Sequence, residues 1–392
     1  MHLHWIKPLI GVPGPFATVY IDATRGTETG YREVVNRWQA LRRSLKQQGA
    51  PESILELIDE RITAPTHEHG PAGRVVIAAN SEIYVDRYLR TPPQRDDATY
   101  APAPALLAAA RASEDSVNYL IAAVDRLGVD IYAPRPDHPG GKPLPQHSID
   151  GDHDEVHKIR GGGFHHKRLQ NRAEDSWERN AETTAVEINK IVEKSKPELL
   201  VLTGDIRAVG LVMDRLAEAS RRIVSQVPGG ERGEANDDQS FSQRLEEVLD
   251  EHREERRRKV IDLYRQEYGR DEAAVTGIDD VLNALRRGQV AELLLSDVEP
   301  DDGPADLNLW IGSTALAVAE NPDEIRDLGE EPEALRGDIA LLRAAVGQEA
   351  GVTFANGDLP LVEGVGAVLR WSDASTPGES AVSLSDDAQR MS

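Results

Sequence analysis

The chain has 392 residues, too many for one ordinary core, so two or three domains are expected. Its 39% apolar and 29% charged residues suit folded soluble protein, and the absence of cysteine excludes disulfides, thiolate zinc sites, iron–sulfur clusters and cysteine nucleophiles. A net charge of −23 argues against a phosphate-rich partner until its placement is read: residues 1–112 carry 13 basic and 12 acidic side chains, residues 271–392 carry 7 and 25. The opening residues lack the apolar core of a signal peptide, and no window approaches a membrane span, so the cytoplasm is the expected compartment and no membrane partner is expected.

A short strand is predicted over residues 17–21. From Arg32 to Lys46, Val34, Trp38, Leu41 and Leu45 recur at helical spacing, and Arg37, Arg42, Arg43 and Lys46 form a basic opposite face. Such a face is either merely solvated or a phosphate contact. A second helix is predicted over 53–62, and residues 74–78 and 83–85 flank Asn80-Ser81 as a hairpin. The Pro-rich stretch 91–104 and an Ala-rich helix to residue 112 read as a domain exit, giving a first α/β domain over 1–112.

The second domain, 113–238, opens with strands at 118–124 and 129–132 around a turn. Residues 134–163 are rich in Pro, Gly, Asp and His and are read as a long irregular insertion, functional or disordered. A helix is predicted over 169–194, a buried strand over 199–204, a helix over 206–219 and a strand over 222–225, which together make an α/β sandwich. The third domain, 239–392, begins with a long charged helix over 240–269 whose thin apolar stripe suits a connector. It continues with a helix at 278–285, strands at 290–295 and 307–311, a helix at 332–346, and strands at 352–354 and 365–369. A Ser/Asp-rich tail is expected to be disordered.

Chemistry concentrates between residues 153 and 172, where five Lys or Arg stand against two acids beside four histidines. Three consecutive glycines, Gly161, Gly162 and Gly163, carry too high a backbone entropy cost for a stable helix or strand and predict a mobile tip. Lys158, Arg160, Lys167, Arg168 and Arg172 add the charge that RNA phosphates attract, and Phe164, His165 and His166 add rings that stack on bases. Three other readings stay open. His153 and His157 have the i, i+4 spacing of metal ligands, but no compact ligand set accompanies them. The glycines could cradle a nucleotide phosphate, but the Gly-Lys-Ser/Thr ending is absent. The segment could also be a solvated loop. Asp205 is read as a helix cap, and Glu174, Asp175 and Glu178 as solvated helix charges.

Arg160-Gly161-Gly162-Gly163-Phe164 follows a strand hairpin and a basic irregular stretch and precedes a long helix. Leu200-Val201-Leu202-Thr203-Gly204 and Pro228-Gly229-Gly230-Glu231 come later. In this order the segment resembles the second domain of the archaeal and eukaryotic class-one peptide release factors and of Pelota, where the tip reads Arg-Gly-Gly-Gln. The stretch from Gly277 to Val290 is similar to the opening of that family's third domain. The resemblance covers residues 74–300 most clearly. It implies a three-domain, tRNA-mimicking α/β architecture, with an RNase H-like sandwich in the middle and a ribosomal-protein-like α/β domain at the end.

Two departures bear on activity. Gly163 or Phe164 stands where release requires the glutamine amide, and the first domain lacks the Asn-Ile-Lys-Ser stop-codon motif, its first helix reading Arg32-Glu33-Val34-Val35-Asn36-Arg37-Trp38. On the bacterial branch, the resemblance therefore implies a non-catalytic hibernation factor in the A site of idle ribosomes. The first domain would lie by the decoding centre and the Gly161–Arg172 tip in the peptidyl transferase centre. The implied partners are rRNA of both subunits, ribosomal proteins and, for delivery, the elongation factor EF-Tu, with no cofactor. The alternatives are a peptidyl-tRNA hydrolase or rescue factor using the His-rich loop, and a stress-related binding protein without ribosome contact.

Overall fold

The computed structural model describes residues 5–9, 11–25, 28–64, 71–135, 143–150, 165–233, 239–270, 272–297, 303–355, 359 and 361–373, without the side chains of 28, 29 and 165–175. By its contacts the chain divides into two units, Met1–Asp115 with Glu255–Ser392, and Ser116–Glu254.

In the first unit, strand β1 (Phe16–Asp22) is buried on both faces. Helices α1 (Glu28–Gln47) and α2 (Glu52–Thr63) cover one face, packing Val34, Trp38, Leu45, Leu55 and Ile58 against Val19 and Val76. Strands β2 (Gly73–Ala79) and β3 (Glu82–Leu89) form the predicted hairpin, with Asn80 and Ser81 both at positive φ, as a tight two-residue turn requires. The Pro-rich stretch is more than an exit. It contains β4 (Asp97–Ala101), which pairs with β1 at the sheet edge, in the order β3-β2-β1-β4. At five residues with one buried position, Asp-Ala-Thr-Tyr-Ala is too short for its pattern to mark a strand. Helix α3 (Leu107–Glu114) closes this piece.

The second unit is a five-stranded sheet in the order β7-β6-β5-β8-β9. Strands β5 (Tyr119–Val124) and β6 (Gly128–Ala133) pair antiparallel as predicted. The insertion read as irregular instead holds an edge strand, β7 (Leu144–Asp150), antiparallel to β6 and mostly exposed. Helix α4 (His165–Ser195) is followed by β8 (Leu199–Gly204), parallel to β5. The helix expected over 206–219 ends early: α5 (Ile206–Arg215) is followed by the short α6 (Glu218–Arg221) and by β9 (Val224–Gln226). One sheet face carries α4 and α5 through Ala181, Ala185, Ile188, Val209 and Val212. The other packs on Phe241, Leu245 and Leu249, in the first half of α7 (Gln239–Arg270).

The second half of α7 belongs to the first unit, where Tyr264 packs with Leu294 and Val368. There β10 (Ala274–Thr276), α8 (Ile278–Arg286) and β11 (Val290–Ser296) precede a small sheet of β12 (Asn308–Ile311) and β13 (Val318–Ala319). Then come α9 (Pro322–Asp327), β14 (Glu333–Arg336), α10 (Gly337–Gly347), β15 (Gly351–Ala355) and β16 (Val365–Leu369). The helix expected over 332–346 therefore begins five residues late, because residues 333–336 pair with β12. The larger sheet has the order β10-β16-β11-β15. One apolar cluster draws on both pieces of this unit, combining Phe16, Tyr20, Ile77 and Leu106 with Leu282, Leu341, Val346 and Phe354. The tail expected to be disordered lies, from residue 374 on, outside the described residues.

Candidate nucleic-acid interface

In the sequence, the charged glycine stretch lies between two elements of the second unit. Strand β7 ends at Asp150, opposite Gly128 and therefore level with the β5–β6 turn. Helix α4 resumes the described chain at His165.

Side-chain contacts fix the course of α4. At the carboxyl end of β5, Asn180 Nδ2 donates to Arg126 O at 3.0 Å, and the Arg126 guanidinium lies 4.4 Å from the Trp177 ring centroid. Just past the other end of the helix, Asn118, at the start of β5, donates through its Nδ2 to Lys196 O at 3.3 Å. The helix thus runs antiparallel to β5, and its residues before Asn180 continue past the sheet edge. At 1.5 Å per residue the stretch from 165 to 179 is about 22 Å of helix. His165, His166, Lys167, Arg168 and Arg172 lie on this outward stretch. Lys158, Arg160, Gly161, Gly162, Gly163 and Phe164, and the candidate metal ligands His153 and His157, lie outside the described residues. The helix N-terminus faces away from the sheet, and its positive end favours anions.

The edge itself is tightly built. Gly204 ends β8 at φ +117°, and a Cβ there would fall 1.9 Å from Val124 O. This close approach lets Asp205 N donate to Val124 O at 3.0 Å. Asp205 caps α5 as expected: its Oδ1 accepts from Arg207 N at 3.0 Å and Ala208 N at 3.1 Å, while its Oδ2 pairs with Arg126 Nη2 at 3.3 Å. Among the described residues no group of three or more His, Asp or Glu is arranged to hold a metal. No described helix is long and apolar enough to cross a membrane.

The basic face of α1 is largely spent within the first unit. Arg37 pairs with Asp22 at 3.3 Å and Asp96 at 3.7 Å, while Arg42 and Lys46 both pair with Glu52, whose carboxyl they hold below its ordinary range. Arg43 is exposed and donates through Nε to Gln39 O at 3.1 Å. Arg126 and Trp177 were not singled out from the sequence. Their pairing joins residues that only the fold brings together.

The architecture is that of an α/β protein. Residues 118–270, nearly all of the second unit and the whole of α7, match the bacterial archaeo-eukaryotic release factor family 2. The uncharacterized protein Rv2629 of Mycobacterium tuberculosis is 25% identical over 373 residues, covering 94% of this chain and 96% of that one. Among solved structures, the archaeal termination factor aRF1 is 13% identical with a TM-score of 0.25, covering 94% of this chain and 96% of that one. Dom34 of S. cerevisiae is 9% identical with a TM-score of 0.38, covering 78% and 81%. A ribosome-bound archaeal Pelota is 13% identical with a TM-score of 0.37, covering 94% and 93%.

Proposed function

We propose that this protein is a ribosome hibernation factor, which occupies the A site of idle ribosomes from the decoding centre to the peptidyl transferase centre without releasing peptide. One observation carries the reading: residues 118–270 match a release-factor family, and α4 opens at the end of a basic, glycine-rich stretch that has no glutamine after Arg160-Gly161-Gly162. A cationic projection suits a phosphate-lined tunnel. Loss of the amide leaves occupation without hydrolysis, as in the hibernation factor Balon, which the sequence resembles. Contact with the decoding centre falls to the first unit, where Arg43 and Lys46 are exposed cations of the α1 face. The acidic residues of 271–392 suit basic ribosomal proteins or the delivery factor EF-Tu rather than bare rRNA. A cytoplasmic location follows from the same reading.

The test is co-sedimentation with vacant ribosomes across a salt series, beside an assay of peptidyl-tRNA ester cleavage. Binding is expected to weaken with salt, without cleavage. Reversing Lys158, Arg160, Lys167 and Arg168 to Glu is expected to weaken binding strongly and to flatten the salt slope, by about 0.7–0.9 per lost phosphate contact. No sedimentation at moderate salt defeats the reading. Ester cleavage that disappears in a His165→Ala, His166→Ala double variant replaces it with a hydrolase.

A further inference from the structure

Arg232 lies just past the Pro228-Gly229-Gly230-Glu231 turn, and its guanidinium gathers three carboxylates from three parts of the sheet. Its Nη2 donates to Asp150 Oδ1 at 2.6 Å, its Nε to Asp130 Oδ1 at 2.9 Å, and its Nη1 reaches Asp125 Oδ1 at 3.4 Å. The same Nη2 lies 3.3 Å from Ser148 Oγ. The turn that presents Arg232 is itself seated. Gly230 N donates to Thr203 Oγ1 at 2.9 Å, and a Cβ on Gly230 would come within 3.0 Å of both Thr203 and Phe241, so only glycine approaches this closely. The planar five-donor fork of arginine can serve several carboxylates at once, which a lysine ammonium cannot match.

These partners are unequal. The side chains of Arg232 and Asp130 are 13% and 16% exposed, whereas that of Asp150 is 78% exposed. Asp150 is also the last described residue before the glycine segment, at the end of an edge strand whose own side chains are mostly exposed. At that end of β7 only Ile149 packs on the core, and the backbone pairing with β6 stops at Asp150. Without the guanidinium, three carboxylates would face one another, and the exposed one is free to leave for water.

We propose that Arg232 is a positioning residue: it pins the first stem of the glycine segment to the sheet edge and so fixes where the chain departs. The segment's task as a ribosome contact rests on the function proposed above, but the pin itself does not. Restricting the departure point lowers the entropy lost on binding, so its removal weakens association even though Arg232 touches no RNA.

The natural lack of cysteine allows a direct test. Spin labels at Gly151→Cys and Asp214→Cys report the distance from the stem to α5 in the free protein. The pin predicts a narrow distribution in the parent, a broader and longer one in Arg232→Met, and an intermediate one in Arg232→Lys. Asp150→Ala guards against simple misfolding: it leaves Arg232 bonded to Asp125 and Asp130, and is expected to broaden the distribution with an unchanged melting temperature. Parent-like distributions in both Arg232→Met and Asp150→Ala overturn the proposal. Unlabelled Asp150→Ala is expected to bind vacant ribosomes about tenfold more weakly, the equivalent of 1.4 kcal/mol. If the parent itself does not bind ribosomes while the distances behave as stated, the ribosome reading fails and the pin stands.

Discussion

Two glycines in the second unit carry opposite expectations, and the contrast follows from what surrounds each. Gly204 is held at φ +117° against Val124 O, so Gly204→Ala combines strain with a clash against backbone that cannot yield. A loss of at least about 2 kcal/mol is expected, read as a lower denaturation midpoint. Gly210 lies inside α5 with open space around its missing Cβ. There Gly210→Ala restores helix propensity and is expected to gain about 0.5–1 kcal/mol in the same experiment. A parent-like midpoint for Gly204→Ala would mean that the sheet edge is looser than described. The Thr203-Gly204-Asp205 step was legible as a strand end and helix cap from residue types alone. The second role of Asp205, pairing with Arg126, depends on a neighbour 79 positions away and was not.

Among the elements, those with an apolar face or an apolar run were readable, and the exposed edge strands were not. Helices α1 and α2 announced themselves through Trp38, Leu45, Leu55 and Ile58, and β5 and β8 through unbroken apolar runs. Strand β7 reads Leu-Pro-Gln-His-Ser-Ile-Asp and is mostly exposed, so it carries no burial pattern and is held by pairing with β6. It hid in a stretch that composition marks as loop. Its weak anchoring has a measurable consequence. Among β5, β6, β7 and β8, the β7 amides are expected to exchange with solvent fastest, by hydrogen-exchange mass spectrometry of the free protein. Protection of β7 equal to that of β5 would show packing against it that the described residues do not supply. The candidate site followed the same rule. The charge and glycine pattern of 153–172 was plain in the sequence, while Arg232, Arg126 and Trp177 at its base were not, because their partners are dozens of residues away.

At the scale of the whole molecule, the first unit is built from both ends of the chain, and a charge network marks the points where the chain leaves and rejoins it. Arg257 lies 3.7 Å from Glu114 and 3.2 Å from Asp297, and donates through Nε to Phe354 O at 2.8 Å. Arg111 bonds Asp297 at 3.0 Å and stands over the Phe354 ring. Burial pushes the Glu114 carboxyl up to about 7, against the pull of Arg257, with Asp297 and Asp115 adding to the rise. Its folded value thus lies above the ordinary 4.5, so its contribution to stability is full below about 4.5 and is lost as pH rises through about 7. Glu114→Gln is expected to remove that dependence and to be the more stable form at pH 8, by on the order of 1–3 kcal/mol. Denaturation midpoints of both proteins at pH 5 and pH 8 check this, and equal pH dependence would contradict it. The union of the two chain ends in one core was invisible to periodicity, which reports local faces and not which faces meet.

The proposed function requires residues 151–164 to enter a ribosome. The most direct measurement is a cryo-EM map of vacant ribosomes mixed with the intact protein. It is predicted to show density in the A site, with residues 151–164 in the peptidyl transferase centre and the first unit by the decoding centre. An empty A site at saturating protein, or density bound elsewhere with that segment turned to solvent, would contradict it.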